Sequence, residues 1–290
     1  MSTILFVNLK GGVAKTTNTV AIAETFAREG KNVLLIDADH QCTASELVLG
    51  ENRLLKCEKR KKTLHDMLAA MLSDDFKASQ FDTFIERGAS NIKGGMENLS
   101  VLPCSIRIDD FNTNIQKARK GYHSPKEFTQ IFNRRRKILN LWLNKNFDYT
   151  LVDCPPTISM QVKVLLSVAD TFIIPSIPDN LSVRGCHNLM DRIRRTGIKK
   201  KGLGILWSLY RKQDKIHRRI IEEAGEGSAN FSTLPPPFTT VIPNAAPIAQ
   251  AFQESKNFAS YSAKYTSAGA RLFKQLCREI EDRLETFELK

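Results

Sequence analysis

Two lysines and two glycines near the beginning of the chain have the types and spacing for phosphate chemistry. Lys10 and Lys15 flank Gly11 and Gly12, directly after a short apolar run. Glycines let backbone N–H groups bend around an anion, and Thr16 opens a segment of helical composition whose N-terminus favours negative charge. The spacing predicts a phosphate-binding loop made of Lys10, Gly11, Gly12, Val13, Ala14, Lys15, Thr16 and Thr17.

Three aspartates follow apolar runs that we expect to be strands. Asp37 and Asp39 follow one run, and Asp153 follows another. The carboxyl ends of parallel strands face a common crevice, so these carboxylates should lie beside the phosphate-binding loop. A phosphate-binding loop presents a hydroxyl, here that of Thr16, to Mg²⁺. The same cation would draw the carboxylates toward the loop.

The loop spacing K-G-G-x-x-K-[ST] resembles the deviant Walker A loop of the ParA/MinD family of ATPases. Two further elements occur in the family's order: residues 37–39 resemble its D-x-D signature, and residues 153–156 resemble its D-x-P-P element. The chain departs from the pattern at Ala14, where glycine is usual, and at His40, where proline is usual. The resemblance spans most of the chain and is weakest over residues 51–124.

The resemblance implies an ATPase with ATP and Mg²⁺ as cofactors, and a homodimer that forms in the ATP state. Lys10 would be the signature lysine that crosses the dimer interface to the partner's nucleotide. Lys15 would contact the β- and γ-phosphates within its own subunit, and Asp39 would position the attacking water. These three residues are the implied catalytic set.

The same resemblance implies the remaining ligand contacts. Thr16, Asp37 and Asp153 would form the metal site, with Asp153 holding Mg²⁺ through water. Pro243 and Asn244 would lie against the adenine base. A ParB-like or adaptor protein would stimulate hydrolysis.

The length of 290 residues and the hydrophobic content of 42% allow one large domain with a sizeable core. Apolar runs alternate with helical patterns, which predicts an α/β fold: a mostly parallel twisted sheet with helices on both faces. We predict a single P-loop ATPase domain over residues 1–290, with a helical elaboration at about 51–146. Two late strands are predicted at 203–209 and 239–242, followed by a final helix at about 266–287.

Several patterns subdivide the predicted elaboration. Helical patterns occur at residues 64–72, 76–87 and 125–146, and a strand is predicted at 99–102. Residues 53–62 are strongly basic, and one interpretation is a mobile insert whose charge is simply solvated.

The sequence has no run of about 18 apolar residues, so no transmembrane helix is expected. The first predicted strand begins almost at Met1, which leaves no room for a secretory signal. The six cysteines form no C-x-x-C pair and no metal-ligand cluster, which favours reduced structural thiols. We therefore expect a cytoplasmic protein.

The formal net charge of +12 points to a polyanionic partner, and the charge is concentrated. Residues 192–219 contain eleven basic residues and one acid, which leaves +2 for the rest of the chain. No motif for base readout is visible, so we predict non-specific binding to double-stranded DNA and an association with the nucleoid. The predicted contacts are Arg192, Arg195, Lys199, Lys200, Arg211, Lys212, Arg218 and Arg219.

These features predict an ATPase that binds DNA in its ATP state and positions or segregates a cargo: a plasmid, a chromosome origin or a protein compartment such as a carboxysome. The alternative is a MinD-like membrane-associated ATPase, which would need a basic amphipathic C-terminal helix, whereas residues 278–290 are acidic. A metabolic ATP-dependent ligase would not need so concentrated a basic segment. A reductase of the nitrogenase iron-protein type would need paired cluster cysteines. A basic face that is merely solvated is the remaining alternative.

Overall fold

The computed structural model describes residues 1–252 and 257–288. Its centre is a sheet whose strands, in spatial order, are β3, β4, β2, β5, β1, β6 and β7. Neighbouring strands are parallel except for the antiparallel pair β3 and β4. The bounds are β1 Ser2–Phe6, β2 Val33–Asp37, β3 Glu86–Arg87, β4 Leu99–Leu102, β5 Tyr149–Asp153, β6 Thr171–Ser176 and β7 Gly202–Trp207. The predicted mostly parallel sheet is confirmed.

Helices cover both faces of the sheet. Their bounds are α1 Lys15–Arg28, α2 Thr43–Leu49, α3 Glu51–Lys59, α4 Leu64–Ala70, α5 Phe111–Lys120, α6 Pro125–Asn146, α7 Met160–Val168, α8 Asn180–Arg195, α9 Lys215–Gly225, α10 Ala246–Gln250 and α11 Tyr261–Glu288, with short 3₁₀ segments at Ala78–Phe84 and Ile106–Asp110. Helices α1, α2 and α11 pack on one face, and α4 to α9 pack on the other. Along β1, Leu5 contacts the second layer while Ile4 and Phe6 contact the first. This alternation explains why Ile4, Leu5 and Phe6 are all apolar.

The segment over residues 51–146 follows its sequence pattern in part. The strand at 99–102 and the helix at 125–146 form where they were predicted. The prediction of a helix over 76–87 was wrong, because only a 3₁₀ segment forms there before the chain extends at Ile85 and pairs with β4 through β3. The basic residues 53–62 lie largely in α3, which buries Leu54 and Cys57 and places the Arg53 guanidinium on the backbone oxygens of residues 87 and 88.

The predicted strand at 239–242 does not form. Backbone N–H groups of Thr239 and Thr240 donate to the Glu279 carboxylate at 2.7 and 2.9 Å, so they are withdrawn from strand pairing. Residues 235–237 and 243 are prolines, which have no N–H to donate. The segment therefore follows β7 through isolated bridges at Pro237 and Pro243.

The last helix begins near residue 266, as predicted, because the backbone of Thr266 is non-helical, with a φ of 57°. A short helical stretch from Tyr261 precedes this break and is included in α11. Within residues 1–252 and 257–288, no helix is long and apolar enough to cross a membrane.

Candidate nucleotide-binding site

The phosphate-binding loop connects β1 to α1 at the carboxyl-terminal edge of the sheet. Gly12 has a φ of 70°, and Ala14 has a left-handed conformation with φ 60° and ψ 34° directly before the first helical residue. The first N–H groups of α1 have no partner within the helix, and the helix dipole adds partial positive charge at this end. The loop therefore has the geometry of an anion site. Val13 is buried beneath it, Gly11 is exposed and Thr17 is half-buried.

Lys15 extends from the first residue of α1 back under the loop. Its side-chain ammonium donates to the backbone oxygen of Lys10 at 3.3 Å, and the residue is 8% exposed. Burial lowers the pKa of Lys15, and the carboxylates of Asp153 and Asp39 oppose this effect. An ammonium partly stripped of water and held against the loop is well placed to compensate phosphate charge.

Asp37 and Asp153 are adjacent in the register of β2 and β5, so two buried carboxyls sit side by side next to the loop. The Thr16 hydroxyl donates to Asp153 Oδ2 at 2.7 Å. Burial, with a further contribution from the neighbouring Asp37 charge, raises the pKa of Asp153 to about 8. Burial also raises the pKa of Asp37 to about 6. Such a pair requires positive charge to ionise fully.

The donor set fits Mg²⁺. Asp153 Oδ1 is buried and has no hydrogen-bond partner among the described residues. That orphan oxygen, the Thr16 hydroxyl and the Asp37 carboxyl are hard oxygen donors of the kind that Mg²⁺ prefers. Unlike Asp153 Oδ1, Asp37 Oδ2 already accepts two hydrogen bonds, because Ser45 donates both its N–H and its hydroxyl to it at 2.8 and 2.6 Å. Ser45 belongs to no motif, so its role in fixing Asp37 was not foreseen.

Asp39 lies two residues after Asp37 in the same segment. Its N–H donates to Asp37 Oδ1 at 3.1 Å, and its own Oδ1 accepts from the N–H of Gln41 at 3.1 Å. The His40 ring nitrogen is 3.8 Å from both Asp39 and Asp109. The D-x-D segment thus folds on itself. Asp39 lies close enough to Lys15 for its carboxylate to raise the pKa of the lysine, against the effect of burial.

Lys10 has partners within its own chain that the sequence did not indicate. Its ammonium is 3.4 Å from Asp179 Oδ2 and donates to the Ser182 hydroxyl at 2.9 Å, both at the beginning of α8. Its backbone N–H donates to Asn8 Oδ1 at 3.0 Å, and the Asn8 amide donates to the Pro175 oxygen at 2.7 Å. The end of β1, the loop and the α8 N-terminus are therefore joined.

The two predicted adenine contacts lie on the same edge of the sheet. Asn244 donates its N–H to the Tyr210 oxygen at 2.8 Å, and Pro243 bridges to Tyr210. Asn18 of α1 donates to the Ser208 hydroxyl at 2.7 Å, which connects the loop helix to the end of β7. The segment that carries Pro243 and Asn244 thus lies alongside the residues that follow β7.

The eight basic residues predicted to contact DNA fall into two groups. The lower basic group lies in the last turn of α8 and in the turn that follows it, at the amino-terminal edge of the sheet: Arg192, Arg195, Lys199 and Lys200. The upper basic group lies beyond β7, at the edge that carries the loop: Arg211, Lys212, Arg218 and Arg219. The 16 residues of α8 span about 24 Å, so the groups occupy opposite ends of the molecule.

Comparisons with known proteins give this site its context. A family profile described as an AAA domain matches residues 1–203. The chromosome-partitioning ATPase Soj of Treponema pallidum (strain Nichols) is 26% identical over 289 residues, which cover 96% of this chain and 96% of that protein.

Solved structures show the same fold. A plasmid partition protein of Borrelia burgdorferi B31 bound to AMPPNP has a TM-score of 0.69 at 17% identity and covers 98% of both chains. The structure of pNOB8 ParA bound to nonspecific DNA has a TM-score of 0.64 at 21% identity, over 98% of this chain and 99% of that one. The chain belongs to the ParA/MinD family of deviant Walker A ATPases.

Proposed function

We propose that the chain binds Mg–ATP, dimerises around it, and in that state binds DNA without sequence preference to position or segregate a cargo. The observation that carries the proposal is the cluster at the loop: the Thr16 hydroxyl bonded to Asp153, with Lys15 buried beside them. Hydrolysis of a phosphoanhydride needs neutralised phosphate charge and a positioned water, and this cluster has groups for both.

Each side chain has a role in this proposal. The loop N–H groups and Lys15 hold the phosphates. Thr16 and Asp153 hold Mg²⁺, which would offset charge on the phosphate oxygens, and Asp37 supports the metal site from its bonds to Ser45. Asp39 orients the attacking water. The adenine base is held by Pro243 and Asn244.

Dimerisation is supported by apolar side chains around the same edge. Leu181 at the beginning of α8 is 73% exposed, and Ile216 at the beginning of α9 is 47% exposed. The side chain of Arg219 approaches Asn180 at 3.5 Å, which places these two helix ends together. A second subunit facing this edge would cover apolar surface and bring its own Lys10 toward the nucleotide. ATP would then be part of the interface.

The upper basic group is proposed to carry the ATP-gated DNA contact. Its residues are exposed, and no carboxylate of the described chain lies within ion-pair distance of Arg211, Lys212 or Arg218. The group lies at the loop edge, so dimerisation would join two such groups into one surface. The likeness to pNOB8 ParA bound to nonspecific DNA agrees with this proposal. An association with the nucleoid follows from it.

The cargo is a plasmid, a chromosome origin or a protein compartment, and a ParB-like or adaptor protein stimulates slow hydrolysis. A hydrolysis cycle that dissolves the dimer would release the DNA contact of the joined upper basic groups. The chain thereby acts as a switch whose state depends on nucleotide.

Co-sedimentation with random-sequence DNA and with anionic vesicles, each with ATP or ADP, tests the proposal. We expect strong DNA binding with ATP and weak DNA binding with ADP. The increase produced by ATP should be lost in Arg218→Glu/Arg219→Glu. The matched control is Arg271→Glu/Arg278→Glu, which makes the same charge change on exposed residues of α11, across the sheet. ATP-dependent vesicle binding without DNA binding would instead support the MinD-like alternative.

A further inference from the structure

The lower basic group lies next to a concave surface formed by α6 and two turns. This cavity has a volume of about 580 Å³ and includes Arg136, Lys137 and Asn140 of α6, Ser167 at the end of α7, Asp170 from the turn before β6, and Lys200 from the turn before β7. Cations from segments distant in sequence therefore converge at the amino-terminal edge of the sheet. We call the combined set the basal patch: Arg136, Lys137, Arg192, Arg195, Lys199 and Lys200.

The hydrogen bonding in this cavity suits an anion. Arg136 Nε is buried without a partner among the described residues, while its Nη2 donates to the Asn133 amide oxygen. Lys137 and Lys200 form no ion pair within the described chain. The carboxylate in the cavity wall, Asp170, already accepts the N–H of Thr3 at 2.7 Å. The cavity thus presents three cations against one partly committed carboxylate.

The surroundings favour a polyanion with repeated phosphates over a lipid surface. Arg192, Arg195 and Lys199 are exposed and continue the positive charge beyond the cavity. Duplex DNA carries one charge per about 1.7 Å, so a row of cations can engage several phosphates together. A helix that lies in a membrane surface buries a broad apolar face in the lipid, whereas the cavity wall has one well-exposed apolar residue, Leu141.

We propose that the basal patch is a second DNA-backbone site that works in every nucleotide state. It lies at the opposite end of the sheet from the loop, so dimerisation neither assembles nor covers it. The ATP state then has DNA contacts at both ends of each subunit, and a dimer can hold separate duplex segments. The proposed function supplies the nature of the partner, but the two sites are independent in position and in nucleotide dependence.

The test is fluorescence anisotropy of random-sequence duplex DNA with nucleotide-free full-length protein between 50 and 200 mM salt. Wild type should bind weakly, and Lys137→Glu/Lys200→Glu should weaken binding at least about tenfold and lower the salt slope by about two, as expected for two lost phosphate contacts. Lys137→Gln/Lys200→Gln should have a smaller effect in the same direction. Unchanged circular dichroism and Tm confirm that each variant is folded.

The comparison variant is Arg271→Glu/Arg278→Glu, which makes the same charge change on exposed residues of α11, outside both basic groups. It should keep nucleotide-free affinity within about twofold. Equal weakening by this variant and by the basal variant would show a general charge effect and overturn the basal site, whereas a missing ATP increment in wild type with nucleotide-free binding intact would overturn the proposed function alone. No nucleotide-free DNA binding by wild type, equal binding by the basal variant, or binding to anionic vesicles in place of DNA would overturn the basal site.

Discussion

The ammonium of Lys10 is 3.4 Å from the Asp179 carboxylate of the same chain, with 37% and 29% of the two side chains exposed. The lysine that would reach a partner's nucleotide is thus held at the beginning of α8 in this structure. Partly exposed ion pairs contribute about 0–1 kcal/mol, so exchange of this carboxylate for a phosphate needs little energy. The contact joins the loop to the helix that carries Leu181.

Lys10→Ala should retain part of the ATP affinity and lose hydrolysis, because Lys15 and the loop N–H groups remain while the charge supplied to the other subunit is removed. Nucleotide binding by fluorescence and single-turnover hydrolysis measure the two effects. Lys212→Ala, which removes an exposed lysine from the same edge, should leave hydrolysis without DNA unchanged. Normal turnover by Lys10→Ala would contradict the role across the interface.

Asp179→Asn should favour the dimer. An asparagine still caps α8 by accepting the N–H of Ser182, as Asp179 Oδ1 does at 2.7 Å, but it holds the Lys10 ammonium less strongly. The ATP concentration at half-dimerisation, measured by light scattering, should fall by up to about fivefold, the equivalent of about 1 kcal/mol. A rise in that concentration at unchanged helicity would mean that the pair supports dimerisation.

Asp153→Asn should separate stability from activity. The carboxyl is buried with a pKa of about 8, so its ionisation in the folded state is unfavourable and the wild-type protein loses stability as pH rises toward that value. The metal-free variant should therefore have the higher Tm, with a gain that grows between about pH 5 and pH 8. Mg²⁺-dependent hydrolysis should be lost. A variant less stable than wild type at pH 8 would contradict the cost assigned to this carboxyl.

Ala14→Gly should stabilise the protein. Ala14 has the left-handed conformation, which costs a residue with a β-carbon about 1–2 kcal/mol and costs glycine little. Offset by the greater freedom of glycine in the unfolded chain, the net gain should be about 0.5–1 kcal/mol by urea unfolding. Ala270→Gly, further inside α11, is the reverse control and should lose about 1 kcal/mol. Equal effects of the two changes would exclude strain at Ala14.

A buried ion pair joins α1 to α11, so substitutions at its two residues should have strongly non-additive effects on stability. Lys264 and Glu24 are fully buried at 2.8 Å, and the Glu24 carboxylate also accepts from Ser90 at 2.7 Å and Tyr265 at 2.6 Å. Lys264→Met leaves a buried carboxylate unpaired and should cost about 3–5 kcal/mol. Adding Glu24→Gln should recover most of that loss in a double-mutant cycle measured by urea unfolding. Additive costs would show that the pair is not coupled.

Local sequence patterns predicted the elements that carry the site. They could not predict contacts between residues that are distant in sequence. The loop, its flanking strand and helix, and α6 are encoded by short-range spacing and capping. Ser182 meets Lys10 across 172 residues, and Ser45 fixes Asp37 through a helix that no motif marks. The basic residues over 192–219 look like one group in the sequence. In the structure, β7 crosses the sheet between them and divides them into the lower and upper basic groups. The strand predicted at 239–242 does not form because nearby prolines lack an N–H and because the Glu279 carboxylate accepts the N–H groups of residues 239 and 240.

The two lateral edges of the sheet have a consequence for how copies of the chain can meet. The proline-containing segment occupies the hydrogen-bonding side of β7, with the Phe238 N–H on the Ile205 oxygen at 2.8 Å, and the opposite edge ends in the two-residue β3. Long unpaired strand edges invite uncontrolled chain-to-chain pairing. With both lateral edges short or covered, high local concentration does not favour strand-by-strand polymerisation. On the proposed function, association is confined to the loop end of the sheet, where ATP would form the dimer and hydrolysis would reverse it.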